Sequence, residues 1–322
     1  MRYRIPRRNG PTGDKLGGVA QSSEPARAIE ALVDALADLL EECADVFLEG
    51  LPTSLETSPG SAWAADRTAW KTAYESDDVA GWVSETSAIY LAESAHLLRA
   101  FATLLRSHRV FAAQDIIVRS VIERVGHVNW ILDHRISSEQ RAARAGLELA
   151  ASFYTYREAL HLLDADGGAR GDLRVEARAQ QRQLEQWLDV VQPPENECDN
   201  TSAPTGDVRR WVVAGERFPT LTGSAEHALE HGGIAKIAAQ GTYAGLSGFS
   251  HPNVAFSREH RTIDEGGHIT FRYDRESIEK AVRMALLSFA DGVKHWVGYY
   301  DSDQVRVIER LDDIAGRLDA RA

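Results

Sequence analysis

The chain has 322 residues, of which 43% are hydrophobic and 26% charged, a balance that points to a folded core rather than a disordered or fibrous chain. The net charge is −12, yet the first 23 residues carry five basic side chains (Arg2, Arg4, Arg7, Arg8, Lys15) against Asp14, which leaves −16 on the body and excludes a general platform for duplex DNA. No apolar run approaches the ~18 residues of a membrane span, the start has no apolar signal core, and Cys43 and Cys198 make neither a disulfide framework nor a thiolate metal site, so a cytoplasmic, non-membrane protein is expected.

Residues 1–23 read as a disordered basic arm rich in Gly, Pro and Arg. Residues 24–322 read as a single helical domain. Ser23-Glu24-Pro25 opens a first helix whose apolar residues recur at helical spacing to Gly50. The Pro, Ser, Thr and Gly of 51–62 mark a loop. Helices follow at about 62–75, 79–107 and 110–134. Ser137 or Ser138 caps another that reaches about Leu163, and "DLRVEARAQQRQLEQWLDVV" is one more, stopped by Pro193-Pro194. Residues 193–222 are a long irregular segment or lid, with Trp211 as the residue suited to cover a pocket. Helices resume from Ser224 to about Ser250, broken at Gly232-Gly233. "EHRTIDEGGHITFRYD" then fits a small β-hairpin near 259–273, and two helices close the chain. The fold class is all-α, a multi-helix bundle or array with one small hairpin.

Polar residues stand where apolar ones are expected. Ile116, Arg119, Glu123, His127 and Trp130 share one stripe of a helix, with Arg119 and Glu123 spaced to pair. Ile89, Glu93, His96 and Ala100 repeat the pattern one helix earlier, and Leu147, Ala151, Tyr154, Glu158 and His161 one helix later. Buried charge is costly unless paired, so these residues are expected to meet inside the bundle. Glu148, off these stripes, is expected on the surface. In "YAGLSGFSHPN", Tyr243, Ser247 and His251 fall on one face, stopped by Pro252. They are aimed at the Arg119–Glu123 pair, with His251 as acid, base or donor, or else they staple two helices together.

"RSVIERVGHVNWIL" together with "YAGLSGFSHPN" resembles a group of mostly uncharacterised bacterial helical proteins related to the HEPN superfamily, over about residues 80 to 300. The resemblance implies an all-helical fold in which Arg119 and Glu123 pack near Tyr243, Ser247 and His251, and a site that recognises a small molecule or RNA. The Arg–polar–His helix pattern of RNA-cleaving members is not matched. The best spacing, Arg261 to His268, spans the Gly266-Gly267 turn, so catalysis is not implied.

A second reading is a ferritin-like dinuclear oxidase or oxygenase. Glu93-x-x-His96 and Glu158-x-x-His161 are both E-x-x-H, with Glu123 between them and Glu30, Glu41 or Glu42 as a fourth carboxylate; the set suits an Fe or Mn pair. Arg119 competes for Glu123 in that scheme. A third reading is a non-catalytic structural or interaction protein, and a homodimer is compatible with any of the three. His227 and His231 at helical spacing read as a solvated face rather than a zinc site. Dinucleotide, P-loop and H-E-x-x-H motifs are absent from the sequence, and "GLSGF" lacks the second glycine spacing of a nucleophile elbow.

Overall fold

The computed structural model describes residues 24–50, 59–107, 113–165, 211–231, 236–250, 275–300 and 305–320, short helical pieces between 175 and 183, and the strand residues 261–263 and 269–271. The helices are α1 (Glu24–Gly50), α2 (Ala62–Tyr74), α3 (Asp78–Arg106), α4 (Ala113–Ile131), α5 (Ser138–Ala165), α6 (Leu221–His231), α7 (Lys236–Ser250), α8 (Arg275–Tyr300) and α9 (Val305–Asp319). The chain is all-α, as its periodicity predicts. None of the described helices is long and apolar enough to cross a membrane. The expected arm at 1–23, most of the helix over 172–191 and the break at 232–233 lie outside the described residues.

Local signals explain several boundaries. Ser61 caps α2 by accepting from the Ala64 amide at 3.1 Å. Ser137 caps α5 in a reciprocal box: the Gln140 amide donates to Ser137 Oγ (3.2 Å), and the Ser137 amide donates to Gln140 Oε1 (3.0 Å). The expected hairpin forms from β3 (Arg261–Ile263) and β4 (Ile269–Phe271), antiparallel with Thr262 opposite Thr270. Inside the segment read as irregular there is a second, smaller hairpin, β1 (Val212–Val213) and β2 (Glu216–Arg217). Its two-residue turn places Ala214 and Gly215 at φ 49° and 77°, the double positive φ of a tight primed turn. Ala in place of Asn or Asp at the first turn position hid this hairpin from the sequence reading.

α4 is the centre of the molecule. It touches α3, α5, α6, α7 and α8, and its second half, Val125–Ile131, is buried all the way round. Two glycines permit this crowding. A Cβ on Gly126 would lie 2.0 Å from the Ser224 carbonyl oxygen on α6, and one on Gly292 of α8 would lie 2.9 Å from Val125 Cγ1. The apolar core continues through α1 and α8, where Phe47 meets Phe289 and Trp296 edge-on at 5.7 and 6.0 Å. α9 lays Val307, Leu311, Ile314 and Leu318 onto that layer at three- and four-residue spacing. That enclosed half has no solvent face for its polar residues. Each of them must therefore find a partner from a neighbour.

Candidate functional site

Arg119, Glu123 and His127 of α4 find partners in successive turns. Arg119 Nε donates to Glu123 Oε1 at 2.7 Å, and the Tyr243 hydroxyl, from α7, donates to the same oxygen at 2.7 Å. Arg119 Nη2 lies 3.2 Å from the Tyr243 hydroxyl, and its guanidinium sits 5.4 Å from the centre of the phenol ring. The Arg119 and Glu123 side chains are 12% and 17% exposed, so this bridge is mostly shielded from water. Burial pushes the Tyr243 phenol up, and the hydrogen bond to Glu123 and its charge add to the rise, to about 12. Ser247 stands one turn beyond Tyr243 and is half-buried. His251 lies outside the described residues. The expected meeting of the two motifs is thus present for Arg119, Glu123 and Tyr243.

One turn further along α4, His127 Nδ1 donates to Glu148 Oε2 of α5 at 2.7 Å. The Tyr90 hydroxyl of α3 donates a short hydrogen bond to Glu148 Oε1. Burial, and after it the charge and hydrogen bond of Glu148, push the Tyr90 phenol far up. Tyr90, Trp130 and Phe218 close around the imidazole, with ring centroids 5.8, 6.4 and 5.5 Å away. Phe218 follows directly on β2, so the small hairpin brings the cap. Trp211, just ahead of β1, is itself buried. Arg144 ties the hairpin down, donating to Glu216 Oε2 at 2.8 Å and to the Trp130 carbonyl at 2.5 Å.

Glu148 is the functional candidate that the sequence reading missed. It was expected on the surface and is 3% exposed. Its neighbours Arg141, Ala142, Ala143, Ala145, Leu147 and Ala150 are buried too, so α5 is enclosed across a face wider than a single stripe. That width is set by tertiary packing and leaves no local signal.

Of the residues of the dimetal reading, the described ones do not assemble. Glu93 and His96 are exposed, and Glu93 accepts from Arg124 Nε at 2.7 Å. The buried stripe of α3 is Leu91, Ser94, Ala95 and Leu98, on the other side of the helix. Glu123 is taken by Arg119 and Tyr243. Glu41 and Glu42 pair outward with Arg106 and Arg317, both at 2.5 Å, and Glu30 is exposed. Glu158 and His161 lie on α5, their side chains outside the described residues. Among the described residues no three His, Cys, Asp or Glu side chains converge as a metal site.

The polar seam ends in a cavity. At the α4 N-terminus, about 210 Å³ opens between α4, α7 and α8. Its polar lining is Gln114 and Asp115, one turn ahead of Arg119, with Thr242, Ser277 and Lys280. Gln114 is 1% exposed, and its Oε1 is buried with no hydrogen-bond partner among the described residues. Gly241 and Gly245 line the same cavity, and a Cβ at either would meet nothing within 4 Å. Helix-interior glycine costs roughly 0.5–1 kcal/mol against alanine. Close packing does not demand it here, but an open cavity wall uses the space.

Fold and site together define an all-α protein with a polar seam along its central helix, opening into a small cavity. No family model, curated protein or solved structure matches the chain. The resemblance to HEPN-related proteins therefore rests on the residues quoted above.

Proposed function

We propose that the protein is a HEPN-like helical protein that recognises a small polar molecule in the cavity between α4, α7 and α8. The observation that carries this reading is Gln114, a residue of the cavity lining whose Oε1 is buried with no hydrogen-bond donor among the described residues. A buried polar atom left unsatisfied costs about 1–3 kcal/mol, which a ligand N–H recovers on binding. The ligand class is a small amine or primary amide, with Asp115 and the hydroxyls of Thr242 and Ser277 as further polar groups along the wall. Arg119, Glu123 and Tyr243 act as positioning residues: their bridge fixes α7 against α4 and so holds the cavity open in the free protein.

RNA is the less favoured partner, because the body is acidic and the cavity is too small for a stacked base and its backbone. The test is thermal denaturation of the full chain with acetamide, propionamide and ethanolamine, beside a single-stranded RNA oligonucleotide. A saturable rise in melting temperature with an amide or amine, lost in Gly245→Leu, supports the reading. No rise with any of them, or a rise that survives Gly245→Leu, removes it. Tight, salt-sensitive binding of the oligonucleotide would put RNA in its place.

A further inference from the structure

The three aromatic rings around His127 differ in what holds them. Tyr90 and Trp130 stand on the long helices α3 and α4, whereas Phe218 comes from the short segment between β2 and α6. We propose that residues 215–219 form a flap that lifts off α5 in the folded protein, with Glu216 as its latch, and so controls access to the His127 imidazole. The flap is independent of the cavity between α4, α7 and α8.

The group beneath the flap is built for more than packing. A carboxylate only accepts, so His127 Nδ1 donates to Glu148 Oε2 at 2.7 Å, while Tyr90 holds the other carboxylate oxygen. That leaves Nε2 as the ring nitrogen that can face a ligand. An imidazole aimed by a carboxylate is the arrangement of a general base. The residue is 6% exposed, so a substrate reaches such a base only after its cover moves. Of the cover, Tyr90 and Trp130 are fixed by whole helices. Phe218 is half-buried and rides on a few residues of chain.

The flap is anchored at both ends and latched once in the middle. Ahead of it, Trp211 and Val213 seat β1, at 4% and 1% exposed. Behind it, Thr220 opens α6: its Oγ1 accepts from the Gly223 amide at 3.0 Å and its carbonyl from the Ser224 amide at 2.9 Å. Between these anchors the β1–β2 ladder has only two residue pairs, too few to hold by themselves. Gly215, exposed and at φ 77°, gives the near end a hinge with room to turn, since a Cβ there would meet nothing within 4 Å. What ties the arm to α5 is Glu216, which accepts from Arg144 Nε at 2.8 Å and from Gln140 Nε2 at 2.7 Å. The Arg144 and Glu216 side chains are 11% and 12% exposed, so the pair is shielded from the screening that weakens surface ion pairs. Arg144 keeps its bond to the Trp130 carbonyl when Glu216 leaves, so the α5 face stays in place for the flap to close on again. Such an opening gives up few contacts and lies well below global unfolding.

The test is chemical labelling of the full chain, read residue by residue by peptide mass mapping. Diethyl pyrocarbonate reports the histidines and, in separate reactions, iodoacetamide reports Cys43. Cys43 is fully buried on α1, whose neighbours are α3, α8 and α9, so its alkylation follows opening of the core rather than of the flap. Exposed His134 is the reference for reagent reactivity. In the wild type, dilute urea should speed Cys43 alkylation and leave His127 modification nearly constant, because the flap exposes little surface. Glu216→Gln should speed His127 modification about tenfold or more, the worth of one charge-assisted hydrogen bond, with His134 and Cys43 unchanged. His127 following Cys43 in urea overturns the proposal, since access would then need unfolding. An unchanged His127 rate in Glu216→Gln overturns it, and so does a rise matched by Cys43.

Discussion

The Tyr243 hydroxyl donates to Glu123 Oε1 at 2.7 Å across 120 residues of sequence. One carboxylate oxygen thus receives a phenol from α7 and a guanidinium from its own helix, and the junction of α4 and α7 is held by a charge as well as by packing. Glu123→Ala leaves Arg119 without its carboxylate in a setting where its side chain is 12% exposed. Removing one member of a buried pair costs ~3–5 kcal/mol, and the residual exposure places this case lower, at about 2–3 kcal/mol. Urea denaturation against Glu309→Ala, an exposed carboxylate on α9, measures the difference. Equal midpoints would show that the bridge contributes nothing.

Tyr243→Phe keeps the ring and removes only the hydroxyl. The expected loss is about 1–2 kcal/mol, since Glu123 retains Arg119. The pH dependence follows from the raised phenol. A group with a raised folded value contributes stability that is complete below its ordinary value of 10.0 and lost as pH rises through about 12. The ultraviolet difference titration between wild type and Tyr243→Phe should therefore show no ionisation near 10 while the protein stays folded. A normal tyrosine transition in that difference would mean that the phenol is not held by Glu123.

How much of this was legible is clearest on α4. The spacing of Arg119, Glu123, His127 and Trp130 singles out one stripe, and the buried parts of that stripe do meet polar partners. On α3 the same reasoning chose the wrong face. Ile89, Glu93, His96 and Ala100 have helical spacing but face solvent, and Ile89 is 46% exposed. A stripe with an apolar residue at its end looks alike on either side of a helix, and only the neighbours decide which side is covered. The partner identities were not legible at all. Glu148 lies 21 residues from His127 and 58 from Tyr90, and periodicity along one helix says nothing about contacts between three.

Glu148→Ala tests the missed centre. It strands the Tyr90 hydroxyl and the His127 Nδ1–H together in a site where His127 is 6% and Glu148 3% exposed. Two orphaned buried donors at about 1–3 kcal/mol each give an expected loss of about 2–4 kcal/mol after relaxation. Glu148→Gln, which keeps the shape and one acceptor, recovers part of it. Thermal melts of the two variants beside wild type settle the matter. If Glu148→Ala melts with wild type, the three side chains do not form a unit.

Acid stability should depend on Asp133. Burial alone would raise its carboxyl, but hydrogen bonds from the Arg135 side chain and backbone, with the charges of Arg135 and Arg144, outweigh burial and hold it well below the carboxylate range. A lowered folded value contributes stability that is present above the ordinary value of 3.8 and lost as pH falls through the folded one. Asp133→Asn mimics the protonated form. Its melting temperature should lie below wild type at neutral pH, and the gap should narrow as pH drops beneath the ordinary aspartate range. A gap independent of pH would assign the effect to packing.

The glycines of α4 and α7 should respond to alanine with opposite signs. At Gly126 a new Cβ would sit 2.0 Å from the Ser224 carbonyl oxygen and 2.5 Å from its carbon. These are backbone atoms, which cannot swing aside as a side chain does. α6 would have to move off α4, loosening Ala225, Ala228 and Leu229, all buried in the core. Overpacking of this kind costs about 1–3 kcal/mol or more, and the better helix propensity of alanine returns only ~1 kcal/mol of it. At Gly241 a Cβ meets nothing within 4 Å, so the propensity gain stands alone, and Gly241→Ala should stabilise the fold by roughly 0.5–1 kcal/mol. It should also narrow the cavity between α4, α7 and α8 and weaken whatever amide or amine binds there. Denaturation midpoints of the two variants, read beside the acetamide-induced shift in melting temperature, separate the roles. A stabilised Gly241→Ala that keeps its full shift would show that the glycine serves no ligand, and a Gly126→Ala as stable as wild type would show that α4 and α6 do not approach as closely as described.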